Sequence, residues 1–459
     1  MKIKFDADLI KRYDKSGPRY TSYPTAVSFT PEFKEANYRQ HAEVSNNNAD
    51  PLSLYFHIPF CDTICFYCAC NKIATKDYSK SPVYLDYLYR EMDMQASLFD
   101  KSRVVEQLHW GGGTPTFLKH DEITALMEYT RKTFNLLDDD SGDYSIEIDP
   151  RSVSKATIKL LREVGFNRFS LGVQDVDDRV QKAVNRIQPI NETQAIIDAC
   201  RENDAHSVSI DLIYGLPLQT VDGFAKTLEK AIEMNPDRMS VFNYAHMPKL
   251  FKPQRRINAE QLPSASEKLE ILHNSIDTLT SAGYEYIGMD HFAKPDDELT
   301  IAQVHGSLHR NFQGYTTHSD CDLVAMGVSS ISSVHNCYSQ NAKDLEGYYA
   351  AIDAGKIPII RGLEMTEDDV LRRTIIQQLS CQFELDFKVI EKEYNILFSD
   401  YFAFELEELK AMQADGLLSV SANDIKVSPS GRMLIRNICM VFDEHLRQQT
   451  TVQSFSKVI

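Results

Sequence analysis

The sequence lacks any apolar run near ~20 residues, the length that a membrane-spanning helix needs. Its first residues, Met-Lys-Ile-Lys-Phe-Asp-Ala-Asp, also lack the apolar core of a signal peptide. We therefore expect no membrane partner and a cytoplasmic location. Positive charge is scarce too, because 49 lysines and arginines face 66 acidic residues, for a formal net charge of −17. Such an acidic chain binds nucleic acid poorly, so we predict no nucleic-acid partner.

Nine cysteines, an odd number with uneven spacing, argue against the disulfide framework of a secreted protein. Four of them lie close together, in the pattern Cys-x3-Cys-x2-Cys-x-Cys, at Cys61, Cys65, Cys68 and Cys70. Thiolates are soft ligands that suit iron–sulfur clusters or zinc. A structural zinc site usually takes two separated pairs, whereas three thiolates of one loop can hold three corners of a cubane and leave one iron open. Spacing alone favours the cluster and leaves zinc as an alternative.

Short β-rich runs alternate with helical patterns along the first 245 residues. The runs cover residues 53–58, 105–110, 144–149, 168–173, 208–214 and 238–242. Alternating strands and helices indicate parallel pairing through right-handed crossovers. The sequence therefore predicts an α/β fold built on an incomplete (β/α)6 barrel. With 459 residues, of which 43% are hydrophobic, the chain can form this barrel and a smaller domain.

Unusual residues gather where the predicted strands end. The cysteine loop follows the first strand, three glycines at 111–113 follow the second, and Glu147 and Asp149 lie at the end of the third. Gln174 follows the fourth strand, Asp211 lies in the fifth, and residues 243–245 follow the sixth. The carboxyl ends of parallel strands form the working face of a β/α barrel, so we expect these residues at one site.

The sequence pattern changes beyond about residue 366. Thr366-Glu-Asp-Asp369 resembles a capping box at the start of a helix, and residues 417–420 and 425–427 resemble a hairpin. This pattern predicts a mainly helical, winged-helix-like domain, which the acidic run Glu405-Leu-Glu-Glu-Leu-Lys makes unsuitable for DNA. The predicted domains are an extended N-terminal segment reaching the active site (1–45), the barrel (46–285), a connecting region completing the active site (286–365) and the helical domain (366–459).

Several motifs together resemble one enzyme family. The cysteine spacing is the signature of the radical S-adenosylmethionine superfamily. The longer motifs resemble the bacterial oxygen-independent coproporphyrinogen III oxidases, and the resemblance runs from Arg12 to the C-terminus. They are Gly17-Pro-Arg-Tyr-Thr-Ser-Tyr-Pro-Thr25, His109-Trp-Gly-Gly-Gly-Thr-Pro115, Gly172-Val-Gln-Asp175, Ile210-Asp-Leu-Ile-Tyr-Gly-Leu-Pro217, Phe242-Asn-Tyr-Ala-His246, Gly288-Met-Asp-His-Phe292 and His309-Arg-Asn-Phe-Gln-Gly-Tyr315.

This resemblance implies an oxidoreductase of haem biosynthesis. Two propionates of coproporphyrinogen III would become vinyl groups without oxygen, giving protoporphyrinogen IX. One [4Fe-4S] cluster and two molecules of S-adenosylmethionine would serve as cofactors and generate 5′-deoxyadenosyl radicals. The implied electron donor is a protein such as flavodoxin or ferredoxin, and the chain is expected to be a monomer. Haem-insertion proteins share the three-cysteine loop but typically lack counterparts of Cys70 and of the segment 17–25, which are both present here.

The resemblance also implies roles for individual residues. Cys61, Cys65 and Cys68 would bind the cluster, and Cys70 would not. The first S-adenosylmethionine would contact Tyr55, Gly112, Glu147 and Ile331. The second would contact Tyr67, Gly113, Thr114, Gln174, Arg186, Asp211 and Ala245, although Tyr67 stands where the family is expected to have phenylalanine. Because the substrate carries four carboxylates, we expect cationic contacts from Arg19 first and from Arg310 and His291 second. A place for Cys70 near the substrate or second cofactor stays a hypothesis.

Overall fold

A computed structural model describes residues 3–48 and 50–448 of the chain. Residues 1–2 of the predicted N-terminal segment, residue 49 of the predicted barrel and residues 449–459 of the predicted helical domain lie outside the described residues. The strands are β1 Leu52–Ile58, β2 Phe60–Cys61, β3 Ile73–Ala74, β4 Val104–Gly112, β5 Asn135–Leu136, β6 Asp143–Ile148, β7 Arg168–Gln174, β8 Ser207–Tyr214, β9 Arg238–Asn243, β10 Glu285–Gly288, β11 His291–Ala293, β12 His309–Asn311, β13 Gly314–Thr316, β14 Asp322–Met326, β15 Ile331–Val334, β16 Cys337–Asn341, β17 Ile359–Glu364, β18 Glu384–Asp386, β19 Leu418–Val420 and β20 Asp424–Val427.

The α-helices of the described residues are α1 Ala7–Tyr13, α2 Glu35–Ser45, α3 Lys80–Ala96, α4 His120–Thr133, α5 Lys155–Glu163, α6 Asp178–Ala183, α7 Ile190–Glu202, α8 Val221–Glu233, α9 Ala265–Ser281, α10 Glu298–His305, α11 Leu345–Asp353, α12 Glu367–Gln382, α13 Phe387–Tyr394, α14 Phe398–Tyr401, α15 Ala403–Ala414, α16 Ile435–Val441 and α17 Glu444–Gln448. In the part of the chain that is described, no helix is both long and apolar enough to cross a bilayer.

The chain divides into two compact units. The first unit comprises Met1–Ser28, Leu269–Ser319 and Met365–Ile459, and the second comprises Phe29–Lys268 and Asp320–Glu364. The predicted domain boundaries at residues 45, 285 and 365 stay predictions.

The second unit is built on one sheet with the strand order β9-β8-β7-β6-β4-β1-β14-β15-β16-β17. The pairs from β9 to β14 are parallel, and the pairs from β14 to β17 are antiparallel. All six predicted strands are present, as β1, β4, β6, β7, β8 and β9. Helices connect the parallel strands in the alternation that the sequence predicts.

Alternation of side chains along the strands separates the core of this unit from its functional face. In β7, Phe169, Leu171 and Val173 are buried, while the residues between them are only half-buried. Because side chains of a strand point alternately to opposite faces, Ser170, Gly172 and Gln174 share the other face. Parallel register continues this face across the sheet, since Gly172 pairs with Asp211 and Asp211 with Ser240.

The first unit is mainly helical and confirms two local predictions. Thr366 accepts a hydrogen bond from the backbone N–H of Asp369, and Asp369 accepts one from that of Thr366, so the predicted capping box begins α12. The predicted hairpin is formed by β19 and β20, and β18 adds a third strand that the sequence did not predict.

The predicted extended N-terminal segment carries two unpredicted helices, and Asp6 caps the first by accepting from the Leu9 N–H at 3.0 Å.

Candidate active site

The cysteine loop follows β1 and is fixed by hydrogen bonds to its surroundings in the second unit. The backbone N–H of Phe66 donates to the Val184 carbonyl at 2.9 Å, and Asn185 Nδ2 donates to the Ile64 carbonyl at 2.8 Å. At the other end of the loop, Lys72 Nζ donates to the Cys68 carbonyl at 3.1 Å. These bonds hold the loop from outside, so its shape does not depend on the cysteines bonding to one another.

Hydrogen-bond donors surround the thiols of this loop. Thr114 Oγ1 donates to Cys61 Sγ at 3.4 Å. Cys65 Sγ lies 3.5 Å from Arg151 Nη2 and 3.6 Å from Arg186 Nη1. Cationic donors stabilise a thiolate relative to a thiol.

The thiols differ in their ionisation. A hydrogen bond from Cys70 lowers the pKa of Cys68 to about 6, while the same bond raises the pKa of Cys70. Burial raises the pKa of Cys61 to about 11. Three cysteines on one anchored loop, with donors at their sulfur atoms, form a donor set that fits an iron–sulfur cluster. A cluster would replace the proton of the Cys61 thiol, as coordination does for thiolate ligands.

The glycine run at the end of β4 lies directly against the cysteine loop. A Cβ atom on Gly112 would lie 2.6 Å from His57 Cε1, and one on Gly113 would lie 2.7 Å from the Phe60 carbonyl oxygen. Gly112 also has a φ of +112°, which favours glycine. The glycines are therefore required by the protein's own close packing, since any side chain would push the two loops apart. The Gly113 and Thr114 N–H groups donate to the carbonyls of Ile58 and Phe60, both at 2.8 Å.

Two predicted carboxylates occupy opposite electrostatic environments. Burial opposes ionisation of Glu147, but hydrogen bonds from His109 Nε2 at 3.4 Å and from the Gly112 N–H at 3.2 Å lower its pKa below the usual value. Burial raises the pKa of Asp211 to about 7, although Ser240 and Ser170 hydrogen-bond to it. Glu147 is therefore charged near neutral pH, whereas Asp211 is close to its titration point.

Arg186 lies at the centre of a buried polar network. It is 6% exposed, and its Nη1 donates to Asp149 Oδ2 at 3.1 Å while Nη2 donates to the Gly172 carbonyl at 2.6 Å. Arg151 shares Asp149, with Nη2 at 2.6 Å from Oδ2. The sequence singled out Arg186 and placed Asp149 at the end of the third strand, but it assigned no function to Arg151, which the turn after β6 places beside Cys65.

Several buried polar atoms beside this network have no hydrogen-bond partner among the described residues. They are Arg186 Nε, Gln174 Oε1 and Asn243 Oδ1. Gln174 also has a φ of +68°, a conformation that non-glycine residues seldom adopt. Gln174 and Asn243 end two strands, and Arg186 lies between α6 and α7. Unpaired buried donors and acceptors of this kind fit a polar ligand that supplies the missing bonds. S-adenosylmethionine, with hydroxyl, ammonium and carboxylate groups, has that chemistry.

The two tyrosines predicted to contact S-adenosylmethionine, Tyr55 and Tyr67, both interact with neighbouring side chains of the second unit. Tyr55 stacks on His109 with ring centroids 5.7 Å apart, and its hydroxyl lies 3.2 Å from His57 Nδ1. Neither histidine was assigned a site role from the sequence, although His109 begins one of the family motifs and His57 lies two residues after Tyr55. Tyr67 packs against an apolar cluster that includes Tyr244 and Leu216, and its hydroxyl hydrogen-bonds to Cys65. That bond gives the extra hydroxyl of Tyr67 the partner that burial demands.

The structure thus brings most of the predicted site residues to one face of the second unit. Ala245 follows β9, and Ile331 is the first residue of β15, so both lie at strand ends of the same unit. The predicted substrate residues Arg19, His291 and Arg310 belong to the first unit. There Arg19 Nη1 pairs with Asp290 at 3.4 Å, and His291 and Arg310 both contact the Tyr315 ring, at centroid distances of 5.2 and 4.8 Å.

Comparison with known proteins identifies the family. Residues 55–231 match the radical SAM superfamily, and residues 365–434 match the HemN C-terminal domain. The chain is 54% identical over 457 residues to the oxygen-independent coproporphyrinogen III oxidase of Pseudomonas aeruginosa, covering 100% of this chain and 99% of that protein. It is 50% identical over 457 residues to the Escherichia coli enzyme of the same name, with the same coverage.

The chain belongs to the oxygen-independent coproporphyrinogen III oxidase family. A solved structure of the Escherichia coli member, described as a radical SAM enzyme, superposes with a TM-score of 0.93 at 48% identity and covers 97% of this chain and 100% of that one. These similarities confirm the predicted fold, the enzyme class and the function, together with radical chemistry that uses a [4Fe-4S] cluster and S-adenosylmethionine. They also favour the oxidase over the alternatives of a zinc protein and a haem-insertion protein.

Proposed function

We propose that this chain converts two propionate side chains of coproporphyrinogen III to vinyl groups, and that Cys61, Cys65 and Cys68 hold the cluster. The observation that carries the assignment is the anchored loop with cationic and hydroxyl donors at its sulfur atoms. When bound, the reduced cluster and S-adenosylmethionine supply the one-electron chemistry that removes hydrogen from an unactivated carbon. Cys70 is exposed and hydrogen-bonds to Cys68, which favours a role beside the cluster rather than as a ligand.

The chain's own residues would bind and orient two molecules of S-adenosylmethionine. Glu147, charged and next to the Gly112 N–H, suits the ammonium group of the first molecule, whose other contacts would be Tyr55 and Ile331. Asp211, Gln174 and Arg186 offer hydrogen bonds to the second. The remaining proposed contacts of the second molecule are Tyr67, Gly113, Thr114 and Ala245.

The remaining partners are part of the same proposal. The substrate would be coproporphyrinogen III, with Arg19, His291 and Arg310 as candidate contacts. An electron-donor protein, such as flavodoxin or ferredoxin, would deliver electrons, and the chain would act as a monomer. The substrate contacts are supported by charge: a substrate with four carboxylates needs cationic partners in a chain whose net charge is −17.

Substitution of the cysteines tests the cluster assignment. Changing Cys61, Cys65 or Cys68 to Ser should abolish the visible absorption of anaerobically reconstituted protein, its bound iron and sulfide, and all turnover. Cys70→Ser is the matched control from the same loop, and it should keep the absorption and the iron content. Loss of the cluster from the Cys70 variant, or its survival in any of the other three, would contradict the three-ligand assignment.

A further inference from the structure

Two arginines of the first unit have buried guanidinium nitrogens that lack a hydrogen-bond acceptor among the described residues. Arg310 is 5% exposed, and its Nε and Nη1 atoms have no hydrogen-bond partner among the described residues. Nε and Nη1 of Arg432 are likewise buried without an acceptor in the described part of the chain. An unpaired buried cation is costly, so proteins normally pair such a group or leave it for a ligand.

Aromatic rings hold both guanidinium groups beside one glycine. The Arg310 guanidinium lies 4.8 Å from the Tyr315 ring centroid, and that of Arg432 lies 4.8 Å from the Phe383 ring centroid. A side chain on Gly288 would collide with the Tyr315 hydroxyl and would lie 3.4 Å from Phe383 Cζ. The two rings therefore meet at Gly288, and each ring carries one of the two arginines. This gives a structural role to the motif that begins at Gly288.

Arg436 adds a further cation close to Arg310 and Arg19. It is buried, and its Nε donates to the Pro18 carbonyl at 2.8 Å, while Nη2 donates to the Gly17 carbonyl. Burial, together with the nearby charges of Arg19 and Arg310, lowers the pKa of Arg436 to about 10. Asp290 pairs with Arg19 and offsets part of this charge. The local excess is nevertheless positive, within a chain whose net charge is −17.

We propose that Arg310 and Arg432, with the charge of Arg436 as support, form a binding site for the carboxylate groups of a polycarboxylated tetrapyrrole. A guanidinium group donates charge-assisted hydrogen bonds to carboxylate oxygens, and the Nε and Nη1 atoms of Arg310 and Arg432, which lack an acceptor among the described residues, are available for such bonds. Neither Arg432 nor Arg436 lies in a motif that the sequence singled out. The inference rests on the proposed function, because it takes the propionates of the substrate as the carboxylates.

Binding of coproporphyrin III, the stable oxidised form of the substrate, tests the site directly. Its fluorescence would be titrated with the anaerobically reconstituted holoenzyme and with Arg310→Gln and Arg432→Gln variants. Each variant should weaken binding by about tenfold or more, because each loses a charge-assisted hydrogen bond. An uncharged tetra-amide of the same porphyrin should bind all three proteins equally. Cluster absorption and uncoupled cleavage of S-adenosylmethionine should stay unchanged.

Thermal stability separates a ligand-binding arginine from a structural one. Arg310→Met removes a buried charge that forms no ion pair among the described residues, so it should raise the Tm while it weakens coproporphyrin binding. Arg372 is the matched control from the same unit, because it is buried and pairs with Glu405 at 2.8 Å. Arg372→Met should lower the Tm and leave the porphyrin affinity of the folded protein unchanged.

The possible failures are distinguishable. Wild-type affinity in both glutamine variants, or a lower Tm in Arg310→Met with unchanged affinity, would overturn the carboxylate site and leave the proposed function standing. If Arg310→Gln does not fold, the half-buried Arg432 still provides the test. A wild-type holoenzyme that cleaves S-adenosylmethionine but does not bind coproporphyrin III would overturn the proposed substrate and the carboxylate site together.

Discussion

At the scale of single residues, a buried carboxylate supports the turn that leads to a proposed cofactor contact. Glu91 Oε2 accepts hydrogen bonds from the Gly327 N–H at 2.8 Å and from the Tyr348 hydroxyl at 2.6 Å, and Oε1 accepts one from Asn341 Nδ2 at 2.7 Å. Burial nevertheless raises the pKa of Glu91 to about 7. The bonds therefore do not compensate fully for the loss of solvation.

This raised pKa predicts a pH-dependent stability. Because the folded state holds the Glu91 proton more tightly than the unfolded state, its contribution is greatest below the ordinary pKa and is lost as the pH rises through about 7. The loss should be on the order of 3 kcal/mol. Glu91→Gln cannot ionise, so its Tm relative to that of the wild type should rise between about pH 5 and about pH 8. A difference in Tm that is constant with pH would contradict the assigned ionisation.

At the residue scale, the sequence supports a prediction where the chemistry of a side chain is recognisable without the fold. Cysteine spacing and the carboxylates at strand ends predict Cys65, Glu147, Asp149 and Asp211 as site residues from the sequence alone. Arg151 was not assigned a function, since its importance depends on its distance to Cys65 across the folded chain. Arg432 and Arg436 were missed for the same reason, because nothing in their local sequence shows that aromatic rings and backbone carbonyls will bury them.

At the scale of elements, the six barrel strands were predictable because they are short β-rich runs that alternate with helical patterns along the chain. The strands β15 and β16 escaped prediction. Their sequences, Ile-Ser-Ser-Val and Cys-Tyr-Ser-Gln-Asn, are polar and short, yet β16 is buried at every position. Their pairing with β14 and β17 supplies the order that local propensity does not.

The capping box of α12 provides a prediction at this scale. Thr366 satisfies the Asp369 N–H, and no other acceptor would replace its hydroxyl after truncation except water. Thr366→Ala should therefore lower the free energy of unfolding by about 1 kcal/mol, measured by chemical denaturation. Thr278→Ala, within α9 of the same unit, is the control, and it should be neutral or slightly stabilising because alanine favours helix interiors. Equal effects of the two substitutions would show that the cap contributes nothing.

At the scale of the whole molecule, charge presents two opposing effects. The net charge of −17 repels a ligand with four carboxylates at long range. Buried guanidinium groups attract it at short range, where salt screens charges much less. Composition alone revealed the repulsion and the need for a local cationic site, but the location of that site required the fold.

The long-range repulsion and the short-range attraction together predict how the rate of substrate binding depends on salt. Raising the ionic strength from about 10 to about 200 mM shortens the Debye length, so it should screen the long-range repulsion and leave the buried contacts largely intact. The association rate of coproporphyrin III, followed by stopped-flow fluorescence, should therefore increase with salt, while its dissociation rate should change little. The uncharged tetra-amide should associate at a rate independent of salt. An association rate that falls with salt would mean that a positive field already extends beyond the binding site, which would contradict repulsion by the acidic surface.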